Sequence, residues 1–332
     1  MIEHVYNLGN QLTEDLALSP NFETPSYENL LIIGMGGSGV AGDILKLILN
    51  QNSSINVEIK KTYGIPKHII QNKPKCLFLS YSGNTEETIS AVKIAIENEL
   101  DWFAVSSGGM LLELAKENNK QFIQVPQGLQ PRAALGYMAQ AVLHFLPESV
   151  DFDLEGECRK VQELIENLMS EKENNETISL AKNIAIKLAS KSTVIYGGTE
   201  LSYLAAQRWK TQINENAKSK AFVGFMPEIH HNEILSWEGN KEDSKNNYQI
   251  IFLRDQDENR QIDKRFELTE KIIGDDVEII EVKSIKSDNS LMKLFYLIFI
   301  GDLVSVFMAE HLLIDPYDIA NIEALKKMLK EV

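Results

Sequence analysis

The residues Leu30-Leu31-Ile32-Ile33 run without interruption into Gly34-Met35-Gly36-Gly37-Ser38-Gly39. A continuous apolar run suits a strand buried on both faces, as in a parallel sheet. Glycines directly behind it predict a tight turn, here into an amphipathic helix over 40–49. The pattern then repeats. Residues 55–59, 75–80, 102–105 and 122–125 read as further strands, and 85–97 and 133–145 as helices. A helix over 2–18 precedes them. Strands separated by helices imply a parallel sheet covered on both faces, with ligands at the carboxyl ends of its strands.

A second series follows a polar, helix-rich stretch that contains Glu171-Lys172-Glu173-Asn174-Asn175-Glu176. Val194-Ile195-Tyr196-Gly197-Gly198 repeats the first strand and a reduced glycine turn. A helix over 200–217, strands over 248–253 and 277–282, a long apolar helix over 290–313 and a tail helix over 320–330 complete the chain. The expectation is an α/β protein of two similar domains, 1–150 and 151–332. Each is a doubly wound parallel sheet flanked by helices, and 332 residues are enough for two separate cores.

Net charge narrows the partners. At -15, the chain repels nucleic acid phosphates, and no basic patch offsets this. An anionic small substrate therefore needs a local positive site made of backbone amides and a few Arg or Lys. Cys76 and Cys158 cannot build a disulfide framework and read as free thiols in a reducing compartment. The N-terminus lacks the basic start and apolar core of a signal peptide. The longest apolar run, 294–300, is too short to span a bilayer. A cytoplasmic protein with no membrane partner is expected.

The first glycine turn satisfies G-x-G-x-x-G, and Glu58 lies 24 residues after Gly34, where a ribose-binding acid would sit. A dinucleotide site is thus one reading. The loop after the third strand favours another. Ser80-Tyr81-Ser82-Gly83-Asn84-Thr85-Glu86-Glu87-Thr88 sets three hydroxyls, Ser80, Ser82 and Thr85, around one glycine at the start of a helix. Open amides and the positive end of the helix dipole, joined by hydroxyl donors, suit a terminal phosphate dianion better than a bridging pyrophosphate. No Lys follows the glycines, so this is not a nucleoside triphosphate loop.

Together these two loops resemble a sugar isomerase (SIS) domain. The resemblance implies that Ser38, Ser80, Ser82 and Thr85 hold the phosphate of a phosphosugar, with Gly36 and Gly37 letting the backbone come close. Three further segments resemble the bifunctional phosphoglucose/phosphomannose isomerases. They are Pro131-Arg132-Ala133-Ala134-Leu135-Gly136-Tyr137, Asn214-Glu215-Asn216-Ala217-Lys218 and Pro227-Glu228-Ile229-His230-His231-Asn232-Glu233. The tail from Asp315-Pro316 to Leu325-Lys326 fits as well.

The resemblance implies interconversion of glucose 6-phosphate, and of mannose 6-phosphate, with fructose 6-phosphate through a cis-enediol. One base can serve both C1 and C2, and a buried carboxylate suits that work. Glu215 is the candidate. Arg132 would stabilise the charge that develops on the enediolate oxygens. His231 and Lys326 would serve ring opening, with His231 donated across the interface of a homodimer. Lys326 is chosen over Lys327 and Lys330 because it follows Leu325. In this family a tail hydroxyl is associated with mannose use, and here Tyr317 and Asp318 follow the Asp-Pro pair.

No cofactor and no metal are expected. The six histidines include the adjacent pair His230-His231, but no His-x-x-Glu-His or paired-Cys pattern. The alternatives are an isomerase of another phosphosugar or a non-catalytic phosphosugar-binding SIS protein. Regulators of that second kind usually carry a basic helix-turn-helix unit, which this chain lacks, and they have no need of Glu215.

Overall fold

The computed structural model describes residues 1–170 and 175–329. Most of the charged stretch beginning at Glu171, and Lys330 in the tail, lie outside the described residues. The chain divides into two compact units. One holds Tyr6–Asn167 and Asp288–Met292. The other holds Met1–Val5, Leu168–Ser287 and the residues from Lys293 onward.

The first unit is built on a six-stranded sheet. Its strands are β1 (Ala17–Leu18), β2 (Asn29–Gly34), β3 (Asn56–Lys60), β4 (Lys75–Leu79), β5 (Trp102–Ser106) and β6 (Phe122–Gln124). Their order is β1-β6-β5-β4-β2-β3, parallel throughout except for β1, which runs antiparallel to β6. Both faces are covered, as the unbroken apolar strands require. Leu31, Ile33, Cys76, Phe78 and Ala104 pack on one side with Ile89, Val92 and Leu111. On the other side Ile32 and Leu79 lie against Gly42 of the helix Gly36–Asn52. Each fully buried aliphatic side chain here contributes about 1.5–3 kcal/mol.

The register places the loops of interest. Gly34 of β2 stands opposite Leu79 of β4, so the glycine turn and the hydroxyl loop leave the sheet side by side.

The predicted N-terminal helix is replaced by three short elements. They are the helix Ile2–Tyr6, a 3-10 turn at Asn10–Leu12, and β1. Gly9 between them packs closely, since a Cβ there would sit 3.1 Å from the Cα of Gln162. Ala17 and Leu18 then pair with Gln124 and Ile123 and become a sheet edge. Gln162 lies on the helix Leu154–Met169, which belongs to the first unit up to Asn167. The compact unit thus extends past the expected boundary at 150, because that helix buries Cys158, Val161 and Ile165.

The second unit has four parallel strands, β7 (Ser192–Gly197), β8 (Ala221–Phe225), β9 (Tyr248–Arg254) and β10 (Ile279–Lys283), in the order β10-β9-β7-β8. Strand β8 escapes the periodicity because Phe222 on it is exposed and Gly224 interrupts it. The helix Ser290–His311 matches the long apolar helix expected over 290–313 to within two residues. At 22 residues, with an 18-residue stretch of mean hydropathy 1.9, it could cross a membrane by length and composition alone. It is a core helix, with 89% of that stretch buried within the protein. Its two buried charges are paired: Lys293 Nζ lies 3.0 Å from Asp255 and from Asp257, and Asp302 binds Arg208.

Candidate active site

The two loops predicted to hold a phosphate meet in the first unit. Gly36 has φ +51, a left-handed conformation that favours glycine, and open space lies where a Cβ would be. Gly37 lies against the next segment, so that a Cβ would come within 3.1 Å of the Pro131 carbonyl oxygen and 3.4 Å of the Arg132 Cα. Ser38 is buried, and its Oγ accepts the Tyr81 amide at 3.0 Å. The Ser80 and Thr85 hydroxyls lie 2.8 Å apart, and Ser82, which is exposed, accepts the Asn84 amide at 3.3 Å. Among the described residues no side chain caps the helix Gly36–Asn52 or the helix Glu86–Glu97. Each therefore presents first-turn amides and the positive end of its dipole at the same sheet edge.

Arg132 stands beside them on the 3-10 turn Pro131–Ala133 and is only 3% exposed. A guanidinium cannot discard its charge on burial, so a fixed polar setting is required. Tyr81 ties this region together, a role for which its sequence carries no signal. Its hydroxyl donates to the Pro126 carbonyl at 2.9 Å and accepts the Leu129 amide at 3.0 Å. Its own carbonyl accepts from the Ser107 amide at 2.9 Å and from the Ser107 hydroxyl at 2.7 Å. Burial holds the Tyr81 phenol above its ordinary pKa, so it remains a donor. Glu58, the acid of the dinucleotide reading, pairs with Lys60 at 2.7 Å.

The reduced glycine turn of the second unit is closed. The amides of Gly198 and Thr199 both donate to Ser202 Oγ at 3.0 Å, and Thr199 completes a reciprocal cap on the helix Glu200–Asn216. Gly198 is packed on Phe266, where a Cβ would come within 2.7 Å of Cε2.

Glu215 is the penultimate residue of that helix and is half-buried. The helix is fixed on both sides of it. Asn214 Nδ2 donates to the Ser219 carbonyl at 2.8 Å, and Asn216 Nδ2 to Ser305 Oγ at 3.0 Å. Lys218 Nζ reaches the Glu215 carbonyl oxygen at 2.7 Å. About two turns further back, Trp209 Nε1 donates to the Leu297 carbonyl at 2.7 Å, and Arg208 binds Asp302.

The adjacent histidines have different surroundings. Arg265 Nη1 lies 3.0 Å from His230 Nδ1 and can only donate, so Nδ1 accepts and the ring proton sits on Nε2. That proton faces Thr269 Oγ1 at 2.7 Å, and Thr269 in turn donates to the Arg265 carbonyl at 2.6 Å. Burial, with the positive charges of Arg265 and His231 beside it, holds the His230 pKa below its ordinary value. His231 is exposed. Lys326 is exposed on the helix Ala320–Leu329, which buries none of its residues. The first unit thus gathers Gly36, Gly37, Ser38, Ser80, Ser82, Thr85 and Arg132. Glu215, His231 and Lys326 belong to the second, on three separate elements. Among the described residues no cluster of His, Cys, Asp or Glu forms a metal site.

Residues 177–329 match the family described as the bacterial phospho-glucose isomerase C-terminal SIS domain. The fold resembles the C-terminal domain of glucosamine-fructose-6-phosphate aminotransferase from Francisella tularensis, with a TM-score of 0.67 at 13% identity over 95% of this chain and 96% of that one. The fold and the family match together define a protein of the SIS-domain class. The chain is 33% identical to the bifunctional phosphoglucose/phosphomannose isomerase of Caldicellulosiruptor bescii, over 100% of this chain and 99% of the relative. It is 35% identical to that of Aquifex aeolicus, over 92% and 91%. It belongs to the bifunctional phosphoglucose/phosphomannose isomerase family.

Proposed function

We propose that this chain interconverts fructose 6-phosphate with glucose 6-phosphate and mannose 6-phosphate, without a metal, through a cis-enediol. The observation that carries the reading is the joint edge of the first sheet. There an uncapped glycine turn, a hydroxyl loop and the buried Arg132 are tied together through Tyr81 and Gly37. Amides and hydroxyls of that edge bind the phosphate. Arg132 stabilises the enediolate oxygens as charge develops on them.

Glu215 moves the proton between C2 and C1. Carbon acids need a base held at one atom's reach, and the bonds on either side of Glu215 support that assignment. His231 and Lys326 handle the protons of ring opening. Because His230 is engaged by Arg265 and Thr269, the exposed His231 is the member of the pair open to that work. The active form in this reading is a cytoplasmic homodimer that donates His231 across its interface.

The test is NMR product analysis after incubation of the purified protein with fructose 6-phosphate and EDTA. Both aldose phosphates are expected. Glucose 6-phosphate alone would remove the mannose activity, and absence of product from folded protein would remove the substrate assignment.

A further inference from the structure

Gln11 lies far in sequence from every motif above, yet it is buried against the segment that carries Arg132, with 1% exposure. Its Nε2 donates to the Ala133 carbonyl at 2.8 Å, and its Oε1 accepts the Gly136 amide at 3.0 Å. A carbonyl can only accept and an amide N–H can only donate, so the orientation of the Gln11 amide is fixed by its partners. One side chain therefore bridges the residue after Arg132 and the first turn of the following helix, Leu135–Leu143.

The fit is close. A Cβ on Gly136 would come within 2.5 Å of the Gln11 Cβ and 2.8 Å of the Leu8 carbonyl oxygen. The same 3-10 segment is bounded by Gly37 at Pro131 and, further upstream, by the Tyr81 hydroxyl at Pro126 and Leu129. Tyr137 adds a bond from its hydroxyl to Glu14 at 2.6 Å, which joins the N-terminal stretch to the same helix.

We infer that Gln11 is a positioning residue for Arg132, setting the guanidinium at the height where the enediolate forms. The inference rests on the proposed role of Arg132. Gln11 touches none of the phosphate-loop hydroxyls through the bonds described, so its effect falls on turnover and not on phosphate binding. Misplacing a catalytic group by about 1 Å can cost on the order of 10²-fold in rate.

The experiment compares Gln11→Met, Gln11→Glu, Arg132→Ala and the double variant Gln11→Met/Arg132→Ala in the full chain. Methionine keeps the volume and removes both bonds. Glutamate keeps the acceptor for Gly136 and removes the donor to Ala133, which provides a second variant if the first folds poorly. For each, kcat, KM and the inhibition constant of inorganic phosphate are measured. We expect kcat to fall about 10- to 100-fold in both single Gln11 variants. The phosphate constant should change less than about twofold, and Gln11→Met should cause no further loss once Arg132 is alanine. The same loss in both backgrounds, or unchanged kcat in both Gln11 variants beside a crippled Arg132→Ala, would overturn the inference. Undiminished turnover in Arg132→Ala would remove the underlying role of Arg132, and the inference with it.

Discussion

Asp302 accepts both Nε and Nη2 of Arg208, at 3.0 and 2.8 Å, with the two side chains 4% and 2% exposed. Such a pair is costly to break from one side, because the remaining charge stays buried. Asp302→Asn should destabilise the protein by about 3–5 kcal/mol. Replacing both residues with Leu and Met should cost less than the single change. Thermal melts of the three proteins decide this, and an unshifted melt for Asp302→Asn would refute it.

Glu215→Gln keeps the shape and the neighbouring bonds of the helix end but removes the base. Turnover should fall by about 10²–10⁴-fold, with inhibition by inorganic phosphate retained. Steady-state kinetics with fructose 6-phosphate provide the check. More than about a tenth of the wild-type turnover would rule out the assignment, being far outside that range.

Ser82 is exposed, and its hydroxyl only accepts a 3.3 Å bond from the Asn84 amide, so Ser82→Ala should leave the melting temperature nearly unchanged. A hydrogen bond to a charged phosphate is worth about 1.5–3 kcal/mol, which sets an expected rise of roughly tenfold or more in KM and in the phosphate inhibition constant. Equal constants for variant and wild type would exclude Ser82 from the phosphate site.

His230 should make stability depend on acid. Its folded-state pKa lies below the ordinary 6.5, so the unfolded chain takes up this proton first as pH falls. The stabilisation is complete above about 6.5 and is lost as pH drops through the folded value. Wild type should therefore lose more melting temperature below that point than His230→Gln, whose amide can accept from Arg265 without titrating. Parallel curves for the two proteins would show that the Arg265–His230–Thr269 chain does not titrate with folding.

Cys76 and Cys158 are at most 2% exposed, and burial pushes both thiols up to about 12. A reagent that requires thiolate should label neither in the folded protein and both after denaturation. Rapid native labelling at either position would contradict the buried assignment.

The strands of the first sheet were legible because Leu30-Leu31-Ile32-Ile33 and its neighbours are apolar on both faces, a pattern with few other uses. The loops were legible because glycines and hydroxyls at strand ends have a direct chemical use. What escaped depends on distance in sequence. β1 is two residues long and exists only by pairing with Gln124 and Ile123. Tyr81 reads as one more aromatic beside a strand, and its hydroxyl bonds to residues more than 40 positions away. Gln11 carries no local signal, because its partners lie more than 120 residues downstream. The adjacent histidines were ambiguous in sequence, since only Arg265 and Thr269 show which of them is engaged.

The reduced turn at Gly197-Gly198-Thr199 differs from the glycine turn of the first sheet in that its amides are engaged within the chain. Its amides are aimed at Ser202 and not at a visiting anion, and Gly198 is packed against Ile262 and Phe266. Loading that position would mean first breaking bonds that already hold the helix of Glu215. The bonds that close the turn thus cap the start of the same helix whose last turn carries Glu215.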